Sequence, residues 1–200
     1  MSIINEGIIY HDIIESMVAA LEARDLYTSG HSTRVSDMTY KLCQHLNLSE
    51  ETLEMYHIAA HLHDIGKIGV SDNVLNKKGR LDFEEWQMVK KHPEIGYKIL
   101  SKAKSLKNIS YIVLHHHERW DGKGYPKGLK KNEIPLGSRI IAICDSIDAM
   151  KSNRPYRDLI SDKECFKEIL TNRGVMYDPE ITDCILENWN DIVTKYYGSL

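Results

Sequence analysis

Apolar residues recur at helical spacing along most of this chain, and several of these apolar stripes run into a histidine or an aspartate. Side chains three, four and seven positions apart share one face of a helix. By that spacing Val35, Met38 and Leu42 extend back to His31. The repeated pattern predicts an all-α protein whose helices turn polar, metal-ligating side chains towards the interior.

The same periodicity, read with capping residues, places the helices. Ser49, Asp82 and Ser161 are expected N-caps, and His92-Pro93 should interrupt or restart a helix. Helices are predicted near residues 10–23, 31–46, 106–117, 137–150, 161–171 and 179–195, after Ser49 and Asp82, and loops near 66–80 and 119–136. The second loop is rich in glycine and proline, as a substrate-facing loop often is.

Length and composition favour one ordinary globular domain. With 200 residues and no internal repeat, we expect a single domain over 1–200 without a separate sensor domain. A net charge of −3 gives no basic field for a nucleic acid polymer. The apolar runs are too short for a membrane span, and the first residues lack the pattern of a signal peptide. The four cysteines are widely spread, which favours reduced thiols over a disulfide framework. A cytoplasmic location is therefore predicted.

Five predicted elements carry inward-facing histidine or aspartate. The residues are His31, His63 with Asp64, His92, His116 with His117, and Asp145, which lies in an almost wholly apolar helix. Burial of an unpaired carboxylate costs several kcal/mol of stability. The inward-facing groups therefore need a partner that they can share. Divalent metal ions are the simplest such partner, and mixed His/Asp ligation suits iron, manganese or zinc better than calcium or magnesium.

Other histidines look less informative. His57 and His61 are four residues apart but lack the glutamate of a zincin motif, so a surface or supporting role is expected. His11 is expected to be solvated. Downstream of Asp64, Gly66 would let the backbone approach a ligand, and Lys67 supplies a positive charge.

These residues, taken in order, resemble the HD-GYP family, a branch of the HD metal-dependent phosphohydrolases. The matching segments are residues 24–31 (RDLYTSGH), 63–67 (HDIGK), 92–96 (HPEIG), 116–126 (HHERWDGKGYP), 145–149 (DSIDA) and 154–157 (RPYR). Together they span about residues 21–180. The resemblance implies an HD-type helical bundle with a Gly-rich GYP loop, and hydrolysis of cyclic di-GMP to linear pGpG or onward to GMP.

The resemblance also implies roles for single residues. One metal would take His31, His63 and Asp145, a second would take His92, His116 and His117, and Asp64 would bridge them. Tyr125, Arg154 and Arg157 resemble residues that contact the substrate. Members with a third metal tend to carry glutamate where this chain has Tyr27, which favours a dinuclear site of iron or manganese. Any regulatory input is expected from a partner protein or from dimerisation, and the alternative is that there is none.

The expected chemistry is metal-activated hydrolysis. Two ions about 3.5–4 Å apart can share a water, lower its pKa and direct it at phosphorus. Asp64 would hold the ions, and Lys67 would either meet charge on the phosphate or protonate the leaving oxygen. Two alternatives stay open: a cyclic-dinucleotide-binding adaptor without turnover, and a phosphohydrolase of another cyclic dinucleotide or nucleotide.

Overall fold

The computed structural model describes residues 4–24, 30–152 and 160–197, with side chains from His11 onward. Within these ranges the α-helices are α1 (Ile4–Glu22), α2 (His31–His45), α3 (Glu50–His61), α4 (Asp72–Leu75), α5 (Phe83–Val89), α6 (His92–Leu100), α7 (Lys107–Leu114), α8 (Leu136–Lys151), α9 (Asp162–Thr171), α10 (Pro179–Glu187) and α11 (Lys195–Tyr197). In the same ranges the one extended pairing is a bridge between Arg173 and Tyr177. The all-α prediction is confirmed.

Capping explains where several helices begin. Ser49 accepts the backbone N–H of Thr52 at the start of α3. Asp82 and Ser161 each form a capping box, with Glu85 and Glu164 respectively. A capping box satisfies two backbone donors at once, so these starts were readable from the sequence.

Two predicted segments differ from the structure. The expected loop at 66–80 contains a 3-10 turn (Ile65–Gly69) and the short helix α4. The helix expected over 179–195 ends at Glu187, and a π-helical turn follows (Asn190–Thr194). The 3-10 and π-helical segments are five residues long each, which is too short for an apolar pattern to separate them from loop or α-helix.

The core lies between α2, α3 and α8. Val35, Met38 and Leu42 of α2 are fully buried, as are Ile140 and Ile143 of α8. Helix α2 contacts both α3 and α8, and α6 contacts α7 and the 3-10 turn. These contacts bring the start of α2, the end of α3, the start of α6, the end of α7 and the middle of α8 to one place.

Candidate metal centre

The first group of side chains joins α2, the end of α3 and α8. The Nε2 atoms of His31 and His63 are 3.2 Å apart, and Asp145 Oδ1 lies 3.4 Å from His31 Nε2 and 4.0 Å from His63 Nε2. His31 and His63 are buried, while the Asp145 side chain is 17% exposed. The three predicted ligands of one metal therefore face one another across three helices.

The second group comes from α6 and the residues after α7. His92 Nε2 lies 3.2 Å from His116 Nε2, and the rings of His92 and His117 have centroids 5.0 Å apart. One nitrogen from each of His92, His116 and His117 lies within 4.8 Å of the others. This is the set predicted to hold the second metal.

Asp64 stands between the two groups. Its Oδ2 lies 3.4 Å from His63 Nε2 and 3.6 Å from His31 Nε2, and its Oδ1 lies 3.3 Å from His92 Nε2. Each carboxylate oxygen thus faces a different histidine group. The ammonium of Lys67 lies 2.8 Å from Asp64 Oδ2, and the Lys67 side chain is 17% exposed.

Hydrogen bonds at the far side of each ring fix where the imidazole lone pairs point. His63, His92 and His116 donate from Nδ1 to the carbonyls of Ala60, Val89 and Val113, at 2.6, 2.8 and 2.6 Å. His31 donates from Nδ1 to Asp148 Oδ2 at 2.7 Å. All four Nε2 atoms are left to face the centre, which is the usual arrangement of metal-ligating histidines.

This donor set fits metal ions. In each group, two imidazoles donate their Nδ1 protons outward and face each other through Nε2 atoms 3.2 Å apart. If both rings are neutral, two Nε2 lone pairs point at each other. Such pairs repel unless a proton or a cation lies between them. Nitrogen ligands at about 2.0–2.1 Å around a tetrahedral ion are roughly 3.3 Å apart, close to the observed spacing. The histidine and aspartate clusters are therefore able to bind metal.

The two carboxylates of the centre favour a positive charge on their neighbour His63. Burial disfavours the charged form of His63, but the carboxylates of Asp64 and Asp145 outweigh it and raise the pKa of His63 to about 9. Burial would raise the pKa of Asp64, yet Lys67 and His63 hold it well below its ordinary value. Burial lowers the pKa of His117 to about 3. A cation at the centre would take the place of the proton on His63.

Gly66 allows α6 to approach the 3-10 turn closely enough to build the centre. A Cβ atom on Gly66 would lie 1.9 Å from the carbonyl oxygen of His92, and 2.5 Å from the backbone nitrogen of Gly96. The sequence suggested that Gly66 admits a ligand. Instead it admits the first turn of α6, which places His92 beside Asp64.

The Gly-rich loop is held by its own polar residues. Glu118 accepts the backbone N–H of Lys127 at 2.7 Å, and Arg119 donates to both oxygens of Asp121 at 3.1 and 2.8 Å. At Gly124 a Cβ would lie 2.5 Å from the carbonyl oxygen of His117. The predicted second loop is thus held by defined hydrogen bonds and packs against the backbone of His117.

Of the residues predicted to contact substrate, Tyr125 lies beside the centre. Its ring centroid is 4.8 Å from that of His117, and its backbone N–H donates to the His117 carbonyl at 3.1 Å. Arg154 and Arg157, with Tyr27, lie outside the described residues. Every predicted metal ligand, by contrast, is within the described part of the chain and within the centre.

Asp148 is a residue whose role the sequence analysis missed. This buried carboxylate accepts from His31, from Arg34 Nε at 2.6 Å, from the Ser152 hydroxyl at 3.0 Å, and from the hydroxyl of Tyr197. Burial opposes its charged form, but the bonds from His31 and Arg34 hold the pKa of Asp148 below its ordinary value. Asp148 therefore fixes the ring orientation of His31.

A sequence signal for Asp148 existed. Asp148 lies three positions after Asp145, and Arg34 three positions after His31, so each shares a helix face with a ligand. Histidines that bind metal commonly donate their other N–H to a carboxylate. A search for such a carboxylate on the face of α8 would have found it.

Comparison with known proteins shows that the chain belongs to the HD domain family. The HD domain family matches residues 15–181. A Thermotoga maritima protein named cyclic di-GMP phosphodiesterase is 41% identical, covering 92% of this chain and 51% of its own length. A Vibrio cholerae protein named 3′3′-cGAMP-specific phosphodiesterase 2 is 34% identical, covering 91% of this chain and 35% of its own. The response regulator RpfG of Xanthomonas campestris, named a cyclic di-GMP phosphodiesterase, is 38% identical, with 88% and 47% covered.

Solved structures agree on the fold. A Vibrio cholerae cyclic GMP-AMP-specific phosphodiesterase superposes with a TM-score of 0.66 at 18% identity, over 90% of this chain and 50% of that one. An HDG"Y"P protein from Bdellovibrio bacteriovorus superposes with a TM-score of 0.66 at 19% identity, over 80% and 51%. The chain spans about half or less of the length of the relatives named here. Among the described residues, no helix has the length and apolar character needed to span a membrane.

Proposed function

Because the chain belongs to the HD-GYP branch of the HD domain family, we propose that it is a metal-dependent phosphodiesterase acting on cyclic di-GMP. The product is the linear dinucleotide pGpG, with GMP after a second cut. One observation carries the proposal above the others. Asp64 offers one oxygen to each of two histidine groups whose Nε2 atoms already converge.

The metal site is proposed to be dinuclear. His31, His63 and Asp145 would hold one ion, His92, His116 and His117 the other, and Asp64 both. Bound divalent ions supply Lewis-acid polarisation of a phosphoryl oxygen and a lowered pKa for water. Iron or manganese is proposed because the ligands mix imidazole with carboxylate.

The chain's own residues hold and orient these parts. The carbonyls of Ala60, Val89 and Val113 accept the Nδ1 protons of three imidazoles and so aim their Nε2 atoms inward. Lys67 sets a positive charge 2.8 Å from Asp64, at a partly exposed position where a phosphate can reach it. We propose that Lys67 meets the negative charge of the scissile phosphate, which grows as the bond breaks.

Tyr125, Arg154 and Arg157 complete the proposed substrate contacts. The ring of Tyr125 lies against His117 on the Gly-rich loop, where it can border a bound nucleotide. A cytoplasmic location is part of the proposal, since Cys43, Cys144 and Cys184 are free thiols, as expected in a reducing compartment.

A second candidate substrate is 3′3′-cGAMP, because a relative named as specific for it matches 91% of the chain at 34% identity. The test is elemental analysis of anaerobically purified protein, followed by turnover of cyclic di-GMP and 3′3′-cGAMP in parallel. The proposal expects two metal equivalents in the centre and faster hydrolysis of cyclic di-GMP. Metal-loaded protein that binds cyclic di-GMP without hydrolysing it would support the adaptor alternative instead.

A further inference from the structure

Three histidines outside the centre converge on the other side of α3. His11 comes from α1, and His57 and His61 from successive turns of α3. One nitrogen from each lies within 4.8 Å of the others. Their ring centroids are 5.7, 5.6 and 4.7 Å apart, similar to the 5.2, 5.0 and 4.1 Å of His92, His116 and His117.

The tautomer of His61 is fixed by a chain of hydrogen bonds. The Ser36 hydroxyl donates its one proton to the carbonyl of Thr33 at 2.8 Å, so towards His61 it can only accept. His61 Nε2, 2.9 Å from that hydroxyl, must therefore carry the proton. His61 Nδ1 therefore carries a lone pair. This nitrogen is buried and has no hydrogen-bond partner, and His61 as a whole is 4% exposed.

His57 is oriented in the same way by the same residue. Its Nδ1 donates to the backbone carbonyl of Ser36 at 3.1 Å, which leaves Nε2 as a second lone pair. Burial lowers the pKa of His57, so the ring is uncharged at neutral pH. A donated N–H on one nitrogen and a free lone pair on the other is the state in which histidine binds metal.

We propose that His11, His57 and His61 bind one transition-metal ion of the zinc type, at a site separate from the centre. Neutral nitrogen ligands and an orphaned buried acceptor suit zinc, which takes imidazoles in tetrahedral sites. Glu15, one turn along α1, has Oε1 3.5 Å from His11 Nδ1 and offers a carboxylate on the open side. The fourth ligand of the tetrahedral ion is then either Glu15 or a water molecule.

This ion ties α1 to the bundle. Of the three histidines, His11 lies on α1, while His57 and His61 of α3 are held by Ser36 of α2. An ion shared by the three joins α1 to α2 and α3. A ligand that binds the folded state and not the unfolded state stabilises the protein by mass action, so zinc should raise the melting temperature.

The experiment counts zinc and measures stability in the full chain. Metal-free wild type, His11→Ala and the control His45→Ala are titrated with Zn²⁺ against a chromophoric chelator, and their melting temperatures are measured with and without Zn²⁺. His11 suits truncation because its side chain is 44% exposed, and His45 is a histidine paired with Asp191 away from the cluster.

Wild type and His45→Ala should bind one more equivalent of zinc than His11→Ala, and zinc should raise their melting temperatures further. His11→Ala should keep its turnover of cyclic di-GMP, because the centre is untouched. A second variant, His57→Gln, should lose the same equivalent. The proposal is overturned if His11→Ala and wild type bind equal zinc with equal changes in melting temperature.

Discussion

The two histidine clusters of this protein are built by the same local device and differ in charge. In both, hydrogen bonds hold the proton on one nitrogen of two or more rings, and one nitrogen from each ring lies within 4.8 Å of the others. The centre adds the carboxylates of Asp64 and Asp145 among its imidazoles. The outer cluster consists of imidazoles, with Glu15 at its exposed side.

That difference changes what each cluster can do. Buried carboxylates raise the pKa of His63 to about 9, whereas burial and neighbouring imidazoles lower the pKa of His61 to about 3. The centre therefore has two carboxylates among its imidazoles, one of them facing both histidine groups, and this arrangement favours two cations side by side. The outer cluster has neither, which favours one ion with a structural role.

The largest expected effect comes from removing the bridge. Asp64→Asn keeps the shape of the side chain but loses the charge that faces both histidine groups. We expect hydrolysis of cyclic di-GMP to fall by about a thousandfold or more, since Lewis-acid catalysis is worth several kcal/mol. Metal content of the centre, measured by elemental analysis, should fall with it.

The matched control is Asp183→Asn, which removes an exposed aspartate paired with Arg173. It should leave metal content and turnover unchanged. If Asp64→Asn also lost the zinc equivalent of the outer cluster, the two clusters would be one coupled system and not two separate metal sites.

How much of this could be predicted from the sequence depends on the range of the interaction. Helix starts at Ser49, Asp82 and Ser161 follow from residues three apart, and the structure has them as predicted. The inward histidines and aspartates also follow from local periodicity, because a ligand extends an apolar stripe. Periodicity does not fix how helices cross, so their convergence on one point was inferred from the need of buried polar groups for a common partner. The family resemblance then supplied the assignment of ligands to each ion.

His11 shows where the same reasoning stopped short. The buried face of α1 carries Ile14, Val18 and Leu21, whereas Ile13 and Met17 are exposed at 53% and 39%. His11 lies three positions before Ile14 and so extends the buried face, like the ligands of the centre. In the sequence, the face with Ile13 and Met17 is as apolar as the face with Ile14 and Val18. Which of the two is buried depends on the helices that pack against α1, and periodicity does not give these.

A smaller effect is expected from Asp148, which acts on the centre through His31. Asp148→Asn replaces an oxygen that accepts N–H and O–H groups with an amide that donates. Loss of such an orienting partner typically costs 10–100-fold in metal affinity, so we expect metal affinity of the centre to fall by about that factor. Ser152→Ala removes one of the donors to Asp148 and should have a much smaller effect. Equal affinities in Asp148→Asn and wild type would show that His31 needs no orienting carboxylate.

Acid should destabilise the metal-free protein through both clusters. The pKa of His117 and of His61 is lowered to about 3 by burial, while an unfolded histidine titrates near 6.5. Between these values the unfolded state binds more protons, so stability is present above pH 6.5 and is lost as the pH falls. From pH 7 to pH 5 the free energy of unfolding should drop by about 2 kcal/mol for each such histidine.

Urea unfolding of chelated protein at the two pH values measures this drop. His117→Gln should reduce the pH dependence by one histidine's share, and His45→Gln, at a partly exposed position, should leave it nearly unchanged. The sign is opposite for His63, whose raised pKa gives stability below pH 6.5 that is lost as the pH rises towards 9. A stability that does not change between pH 7 and pH 5 would contradict the buried, neutral state of these rings.

The smallest effect separates the two clusters most cleanly. Ser36→Ala removes the hydroxyl that holds the proton of His61 on Nε2, so the ring can turn or change tautomer and its Nδ1 lone pair is no longer fixed. Zinc affinity of the outer cluster should fall by about tenfold, the lower end of what an orienting partner contributes. The control is Ser110→Ala, because Ser110 is also buried and also donates to a carbonyl three residues back, that of Lys107, at 2.7 Å.

Both substitutions remove one buried hydroxyl from a helix, so their effects on the melting temperature of the metal-free protein should be similar. Zinc affinity should change in Ser36→Ala alone, and turnover of cyclic di-GMP in neither. A loss of turnover in Ser36→Ala would mean that α2 transmits the state of the outer cluster to His31, five residues earlier in the same helix. The outer cluster would then regulate the centre, because orientation of His31 depends on how the first turns of α2 lie against Asp148.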